Sequence, residues 1–317
     1  MKKMSVVITT LLVLLAMLSV AYAESPTVGV IQFAAHPSLD NCYKGFVEGL
    51  SEGFDIDFQN ATADMGISDL QAKTMVSKGH QMLVGIATPA AMSCYAAARE
   101  TQTPVIFIAV SDPVAAGIVA SNEAPGGNCT GVSDVLNFPA QLEMIRAFLP
   151  DGKTIGVIYT TSEPNSVSQL ESFEALALEY GFKVETMGIT GPAEVGMAAA
   201  ALVGKGVDCI NNFTDNNVVD NLPLVLHATD AAGIPVFGSE VEQVVNGCLA
   251  AQGIDYVALG RKAGEMANEI LSTGMNPGEM PVLIVSDISP CYNSTVMENL
   301  NLTLPAEYID ALNVAGN

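Results

Sequence analysis

Six short polar clusters hold the residues of this chain that could do chemistry. Ala35-His36-Pro37, Thr88-Pro89-Ala90 and Ser111-Asp112 lie in the first half. Ser162-Glu163-Pro164-Asn165-Ser166, Thr214-Asp215-Asn216 and Ser239-Glu240 lie in the second. Their hydroxyls, amides and backbone N–H groups suit a carboxylate or phosphate, above all where a helix begins with its positive dipole end free. Their acids suit a cationic group. The same residue types are ordinary helix N-caps, and one cluster can cap and bind at once.

Catalytic arrangements are thin by comparison. There is no Gly-x-Ser-x-Gly elbow, no Gly-x-x-x-x-Gly-Lys-Ser/Thr phosphate loop and no Gly-x-Gly-x-x-Gly after the first apolar run. Pro125-Gly126-Gly127-Asn128 has turn chemistry. His36 could serve as a base, but beside Pro37 it fits a cap or a ligand-contacting wall better. Asp112, Glu163, Asp215 and Glu240 could form a carboxylate pair, yet as neighbours of a cationic ligand they need no catalysis. His36, His80 and His227 are far apart, no Cys-x-x-Cys occurs, and no Cys/His set has zinc spacing. The expectation is a binding protein, not an enzyme, with no cofactor and no metal. The five Asn-x-Ser/Thr sequons, at Asn60, Asn128, Asn212, Asn293 and Asn301, match a pattern too common to carry weight.

The clusters recur at regular points because short β-rich runs alternate with amphipathic helical ones. Thr27–Phe33, Met82–Ala87 and Val105–Val110 are continuous apolar runs, as for strands buried on both faces. A helix follows the first with Leu39, Tyr43, Phe46, Val47, Leu50 and Phe54 on one stripe, and an Ala-rich helix starts at Thr88. Such alternation predicts parallel sheets. The pattern then restarts: Thr154–Tyr159 repeats Thr27–Gln32 nearly residue for residue, and each run precedes a proline-bearing loop. Cys209–Phe213 echoes Gly85–Ala87, and Ile234–Phe237 echoes Thr103–Ile106, in the same order. Two copies of one α/β lobe are implied. Later segments cross back: a helical stripe from Leu259 to Leu271 ends at Gly274, Val282–Val285 is a strand, and Leu304-Pro305 opens a short helix. Several crossings between two lobes make a hinge and a cleft. Ligands of parallel sheets bind beyond the carboxyl ends of the strands, where all six clusters fall.

The ends of the chain and its composition set the setting. Met1-Lys2-Lys3, the apolar run Val6–Val20 and Ala21-Tyr22-Ala23 have the layout of a secretory signal cleaved after Ala23. The run is too short for a spanning helix, and with no cysteine before Cys42 no lipid anchor is expected. About 290 residues remain, enough for two domains: 24–135 with 251–281 as one lobe, 136–250 with 282–317 as the other. Half the residues are apolar and 15% are charged, a well-packed globular composition. A net charge of −22 argues against nucleic acid and anionic membranes as partners. Cys42, Cys94, Cys129, Cys209, Cys248 and Cys291 all lie in the exported part. Export permits disulfides, with Cys129–Cys291 or Cys209–Cys248 as candidates; buried thiols are the other reading.

The stretches AAHPSLDNCYKGFVEGL, GIATPAAMSCYAA, PVIFIAVSDPVAAGIV, PGGNCTGVSD, LPDGKTIGVIYTTSEPNSVSQ, FTDNNVV, IPVFGSE and YVALGRKAGEMANEIL, in this order from Val28 to Ala311, carry a resemblance. The chain resembles the substrate-binding proteins of ABC transporters whose better-known members take tryptophan, phenylalanine or tyrosine. The resemblance implies an α/β fold of two Rossmann-like lobes with parallel sheets joined by a multi-strand hinge, the type I periplasmic-binding fold. It implies a periplasmic or secreted monomer that closes over an α-amino acid and docks on an ABC permease. Carried over by position, Thr88, Pro89, Ser111, Asn165 and Ser166 would surround a carboxylate, and Asp215 with Glu240 or Asp112 would take the ammonium. Asn216 and Ser239 would complete the rim. Phe33, His36, Tyr159 and Phe213 would supply an aromatic wall. The six cysteines depart from the usual pattern. The same fold with a sugar, nucleoside or small carboxylate, or a subunit presenting its ligand to a sensor kinase, are the alternatives.

Overall fold

The computed structural model describes residues 26–285 and 288–315; the expected signal segment and cleavage point after Ala23 lie outside them. Five buried or half-buried strands start the chain: β1 (Thr27–Gln32), β2 (Asp55–Asn60), β3 (Met82–Ile86), β4 (Val105–Ile108) and β5 (Cys129–Ser133). Helices α1 (Pro37–Gly49), α2 (Met65–Ser77) and α3 (Thr88–Ala98) connect the first four. All neighbours in this sheet run parallel. Continuous apolar runs are explained by it, since a sheet covered on both faces offers no wet side.

The second half repeats the scheme with α4 (Phe138–Phe148), β6 (Thr154–Thr160), α5 (Pro164–Glu179), β7 (Lys183–Ile189), α6 (Val195–Gly204) and β8 (Cys209–Asn211). Then come α7 (Asn216–Asp220), α8 (Leu222–Asp230), β9 (Val236–Phe237), α9 (Val241–Val245) and β10 (Ala250–Ile254). The chain ends with α10 (Tyr256–Thr273), β11 (Leu283–Ile284), β12 (Ile288–Tyr292), α11 (Ser294–Asn299) and β13 (Leu312–Asn313). The first sheet has the order β11-β5-β4-β3-β1-β2, and the second β7-β6-β8-β9. The order around β1 is therefore the order around β6, with β2, β3 and β4 answered by β7, β8 and β9. Both lobes are doubly wound, and each reverses direction next to its first strand, the place where such sheets bind ligands.

The chain changes lobe three times: between β5 and α4, between β10 and α10, and between β11 and β12. β10 pairs with β12 in a small sheet β10-β12-β13 beside the second lobe, while β11 extends the first sheet through β5. The final helix is a single 3-10 turn, Ala306–Tyr308. All six cysteines are free and buried, so neither Cys129–Cys291 nor Cys209–Cys248 is a bridge. The thiols act as small apolar fillers, and burial lifts Cys94 and Cys291 to about 12.

One helix pair sets the first lobe's geometry. α1 and α10 meet through Gly45, Gly49, Gly260 and Gly264, each spaced four residues on its own helix. A Cβ at Gly45 would sit 2.0 Å from the Val257 carbonyl oxygen, and one at Gly260 would sit 2.1 Å from that of Cys42. Backbone touches backbone here, which only glycine allows. Gly45→Val should therefore cost at least about 2 kcal/mol in chemical denaturation. Gly204→Ala, a helical site with open space around it, should be neutral or stabilising by up to about 1 kcal/mol.

Candidate ligand-binding site

The carboxyl ends of both sheets face one another across a small, nearly filled cavity between the closed lobes. From the first lobe it is lined by His36, Ser38 and Leu39 after β1, Ala87 and Thr88 after β3, and Ala109 and Ser111 after β4. Asp134 after β5 and Tyr256 at the start of α10 complete this wall. The second lobe contributes Asn165, Thr214, Asn216, Val219 and Glu240. Ala87 and Ala109 have φ of 76° and 57°, a left-handed backbone that costs a non-glycine residue about 1–3 kcal/mol. Both strained turns sit at strand ends and direct Thr88 and Ser111 into the cavity.

Four of the helices that start at the cleft lack side-chain caps. His36, Ala87, Glu163 and Glu240 precede α1, α3, α5 and α9 without capping them. By contrast Asp215 and Asp255 cap α7 and α10, which also start at the cavity, and Asp64, Asn137 and Asn293 cap helices away from it. The first turns of α1, α3 and α5 thus keep their N–H groups for something other than their own side chains.

The lobes are closed on each other. Ser38 Oγ donates to Glu240 Oε1 at 2.6 Å, and Asn41 Nδ2 donates to Glu242 Oε1 at 2.6 Å. On the hinge side Ser168 Oγ donates to Asp112 Oδ2 at 2.6 Å, and Gln169 Nε2 bridges Ser111 Oγ (2.9 Å) and Thr214 Oγ1 (2.7 Å).

Acids without bases dominate the electrostatics. Asp134 is buried; its Oδ2 accepts from the Tyr256 hydroxyl and its Oδ1 from Ser111 Oγ, both at 2.9 Å. Burial raises its pKa to about 6 despite these bonds. Burial and then the charge of Glu242 raise Glu240 to about 8. Among the described residues no lysine or arginine lines the cavity. His36 is uncharged near neutrality, because burial lowers its pKa to about 4 against smaller raising effects of Asn216 and Asp40. A cavity with buried acids and no fixed cation is chemically prepared for a ligand ammonium.

His36, Thr88, Ser111, Asn165, Asn216 and Glu240 come together at the cavity, but the other expected residues sit elsewhere. Asp215 does not line it: its carboxylate accepts from Thr160 N, Thr160 Oγ1, Ser166 Oγ and Val218 N, which makes it the cap of α7 and leaves no oxygen for an ammonium. Ser166 is consumed by that network, and Ser239 donates to the Asn212 carbonyl oxygen. Asp112 lines a shallower pocket on the hinge side. Pro89 and Phe33 line a separate groove with Met65, Met92 and Glu163. Phe213 is core, at 5.3 Å from the Phe173 ring and 5.6 Å from that of Phe138, and Tyr159 packs on the same cluster. Asp134 and Tyr256 carry the most distinctive chemistry of the wall, and neither was among the expected residues; Asp134 does end the quoted stretch PGGNCTGVSD.

Residues 27–312 match the family model described as ABC transporter substrate binding protein. The chain belongs to this family. A tyrosine-binding protein of Clostridioides difficile is 39% identical over 286 residues, which are 88% of this chain and 82% of the relative. Among solved structures, an ABC domain of Streptococcus pneumoniae in complex with L-Trp superposes with a TM-score of 0.87 at 34% identity, covering 91% of this chain and 99% of that one. The ligand-free, open structure of a substrate-binding protein with adhesive properties from Clostridium difficile gives 0.69 at 37% identity, covering 92% and 100%. Comparable identity with a lower score against the open form agrees with the closed lobes described here. As a family member the chain is an extracytoplasmic solute-binding receptor of type I periplasmic-binding fold.

Deeper in the second lobe, Glu163 accepts from Asn216 N (3.1 Å), Asn216 Nδ2 (2.7 Å) and Asn217 Nδ2 (3.2 Å). Burial, then the charge of Asp215, raises it to about 8 from an ordinary 4.5. The folded chain therefore holds protons that the unfolded chain has released between those values. Stability is fully present below the unfolded pKa and is lost as pH rises through about 8; Glu240 acts in the same direction. The melting temperature of the ligand-free protein should fall between about pH 6.5 and pH 8.5, a window above the titration of His36. Glu163→Gln should flatten that fall, which differential scanning calorimetry would measure.

Proposed function

We propose that the chain captures an α-amino acid with an aromatic side chain between its lobes and delivers it, as a monomer, to an ABC permease. The observation that carries this reading is the cavity's charge pattern. Asp134, fixed by Tyr256 and Ser111, is a buried acid with no cation, and an ammonium is the ligand group that pairs with it. Uncapped helix starts at Thr88 and next to Asn165 offer donors for a carboxylate that meets no arginine or lysine. Leu39, Ala87, Ala109, Val219, His36 and Tyr256 give the remainder an apolar and partly aromatic wall. The tyrosine-binding relative and the L-Trp complex support the same class. Export through the segment ending at Ala23 fits this role, and the net charge of −22 is unsuited to nucleic acid.

Ligand binding to the folded state alone raises the melting temperature. L-tryptophan, L-tyrosine or L-phenylalanine at millimolar concentration should give such a shift, and sugars should give none. Absence of a shift with all three amino acids would sink the reading. Asp134→Asn keeps the hydrogen-bond acceptor but removes the charge, and should weaken binding by roughly tenfold to a hundredfold in calorimetry. Asp215→Asn, outside the cavity, should act mainly on stability.

A further inference from the structure

His36 lines the cavity with both ring nitrogens unspent. It lies immediately before α1 in extended backbone and gives that helix no side-chain cap. The residue is 7% exposed, and neither ring nitrogen has a partner. Asn216 is close enough to bias its proton affinity but makes no hydrogen bond of good geometry with it. Asp40, one turn along α1, is already engaged through Oδ1 by Gln32 Nε2 at 2.7 Å. An uncharged imidazole has one donor nitrogen and one acceptor nitrogen. Leaving both buried and unpaired is costly, and the cost is removed by a ligand that supplies a partner.

The position of the ring identifies which part of the ligand that is. Along the first sheet the strands run β5, β4, β3, β1, and their carboxyl ends carry Asp134, Ser111, Thr88 and His36 in that order. Asp134 and His36 therefore stand three strand spacings apart, roughly 14 Å between backbones, with both side chains lining the same cavity. An amino acid whose ammonium meets Asp134 has its side chain directed toward His36. There Leu39 and Val219 add apolar surface to the wall. The ring also borders a side pocket where Pro37, Leu222 and Pro223 stand beside the acids Asp220, Glu240 and Glu242, so the cavity continues past His36.

We infer that His36 reads a hydrogen-bonding group on the ligand's aromatic side chain, a phenol hydroxyl or an indole N–H, so that the site selects tyrosine-like or tryptophan-like ligands against phenylalanine. A phenyl ring fills the same space but leaves both nitrogens unpaired, and a site built around a buried polar partner discriminates strongly against the analogue that lacks it. The inference rests on the amino-acid reading given above.

The test is isothermal titration calorimetry with L-tyrosine, L-tryptophan and L-phenylalanine on the wild-type protein and on His36→Phe, which keeps a flat ring and removes the nitrogens. The wild type should bind tyrosine or tryptophan at least about tenfold more tightly than phenylalanine, and His36→Phe should bring the three within about threefold by weakening the polar ligands. His36→Gln, which keeps a donor and an acceptor, should retain part of the preference. Equal wild-type affinity for phenylalanine and both polar ligands, or a preference that survives His36→Phe unchanged, overturns the role of His36 while leaving the amino-acid reading intact. Failure of all three to bind the wild type overturns both. If His36→Phe does not fold, the wild-type ratio alone decides.

Discussion

The contact on which the rest of the molecule depends is the backbone-to-backbone meeting of α1 with α10. α10 begins at the second lobe crossing, directly after β10, and its first residue, Tyr256, donates to Asp134 beside the first crossing. α1 begins just past His36 and carries Ser38, which reaches Glu240 on the other lobe. Because four glycines let the two helix axes approach without side chains between them, the hinge and two walls of the cavity become one rigid block. A looser packing would let Tyr256, Asp134 and His36 drift independently, and a cavity this small tolerates little drift.

On that block the protein sets acids that nothing inside the cavity neutralises. Asp134 and Glu240 are each held by hydroxyl donors, and burial lifts the pKa of both. Charged, they call for a cation; protonated, they are tolerated. The cavity therefore holds a standing electrostatic deficit that an ammonium relieves, and relief is greatest when the lobes are shut and water is gone. The cross-lobe bonds from Ser38, Asn41, Ser168 and Gln169 form only in the closed arrangement, so closure and charge pairing reinforce each other.

The second lobe uses acids differently. Asp215 and Glu163 lie behind the cavity wall, saturated by Thr160, Ser166, Asn216 and Asn217. They fix the loops from which Asn165, Thr214 and Asn216 reach the cavity. An acid next to a helix start can thus be a ligand partner or a structural cap, and only the count of donors around it separates the two.

The linear chain by itself determined the lobes and the side on which they bind. Apolar runs in β1, β3, β4 and β6 and the repetition of Thr27–Gln32 in Thr154–Tyr159 follow from sheets buried on both faces, a local property written in consecutive residues. Strands β2 and β7 were not legible, because at the sheet edges their side chains are only half-buried and mix Asp, Glu, Lys and Gln with apolar residues. β5, Cys-Thr-Gly-Val-Ser, looks like a loop although it is fully buried, since its polar side chains spend their hydrogen bonds on distant carbonyls such as that of Met280. The tertiary structure alone decided that Asp134 and Tyr256 line the cavity while Asp215 and Phe213 do not. Those assignments depend on which groups converge from residues more than a hundred positions apart, and no spacing along a chain encodes that convergence.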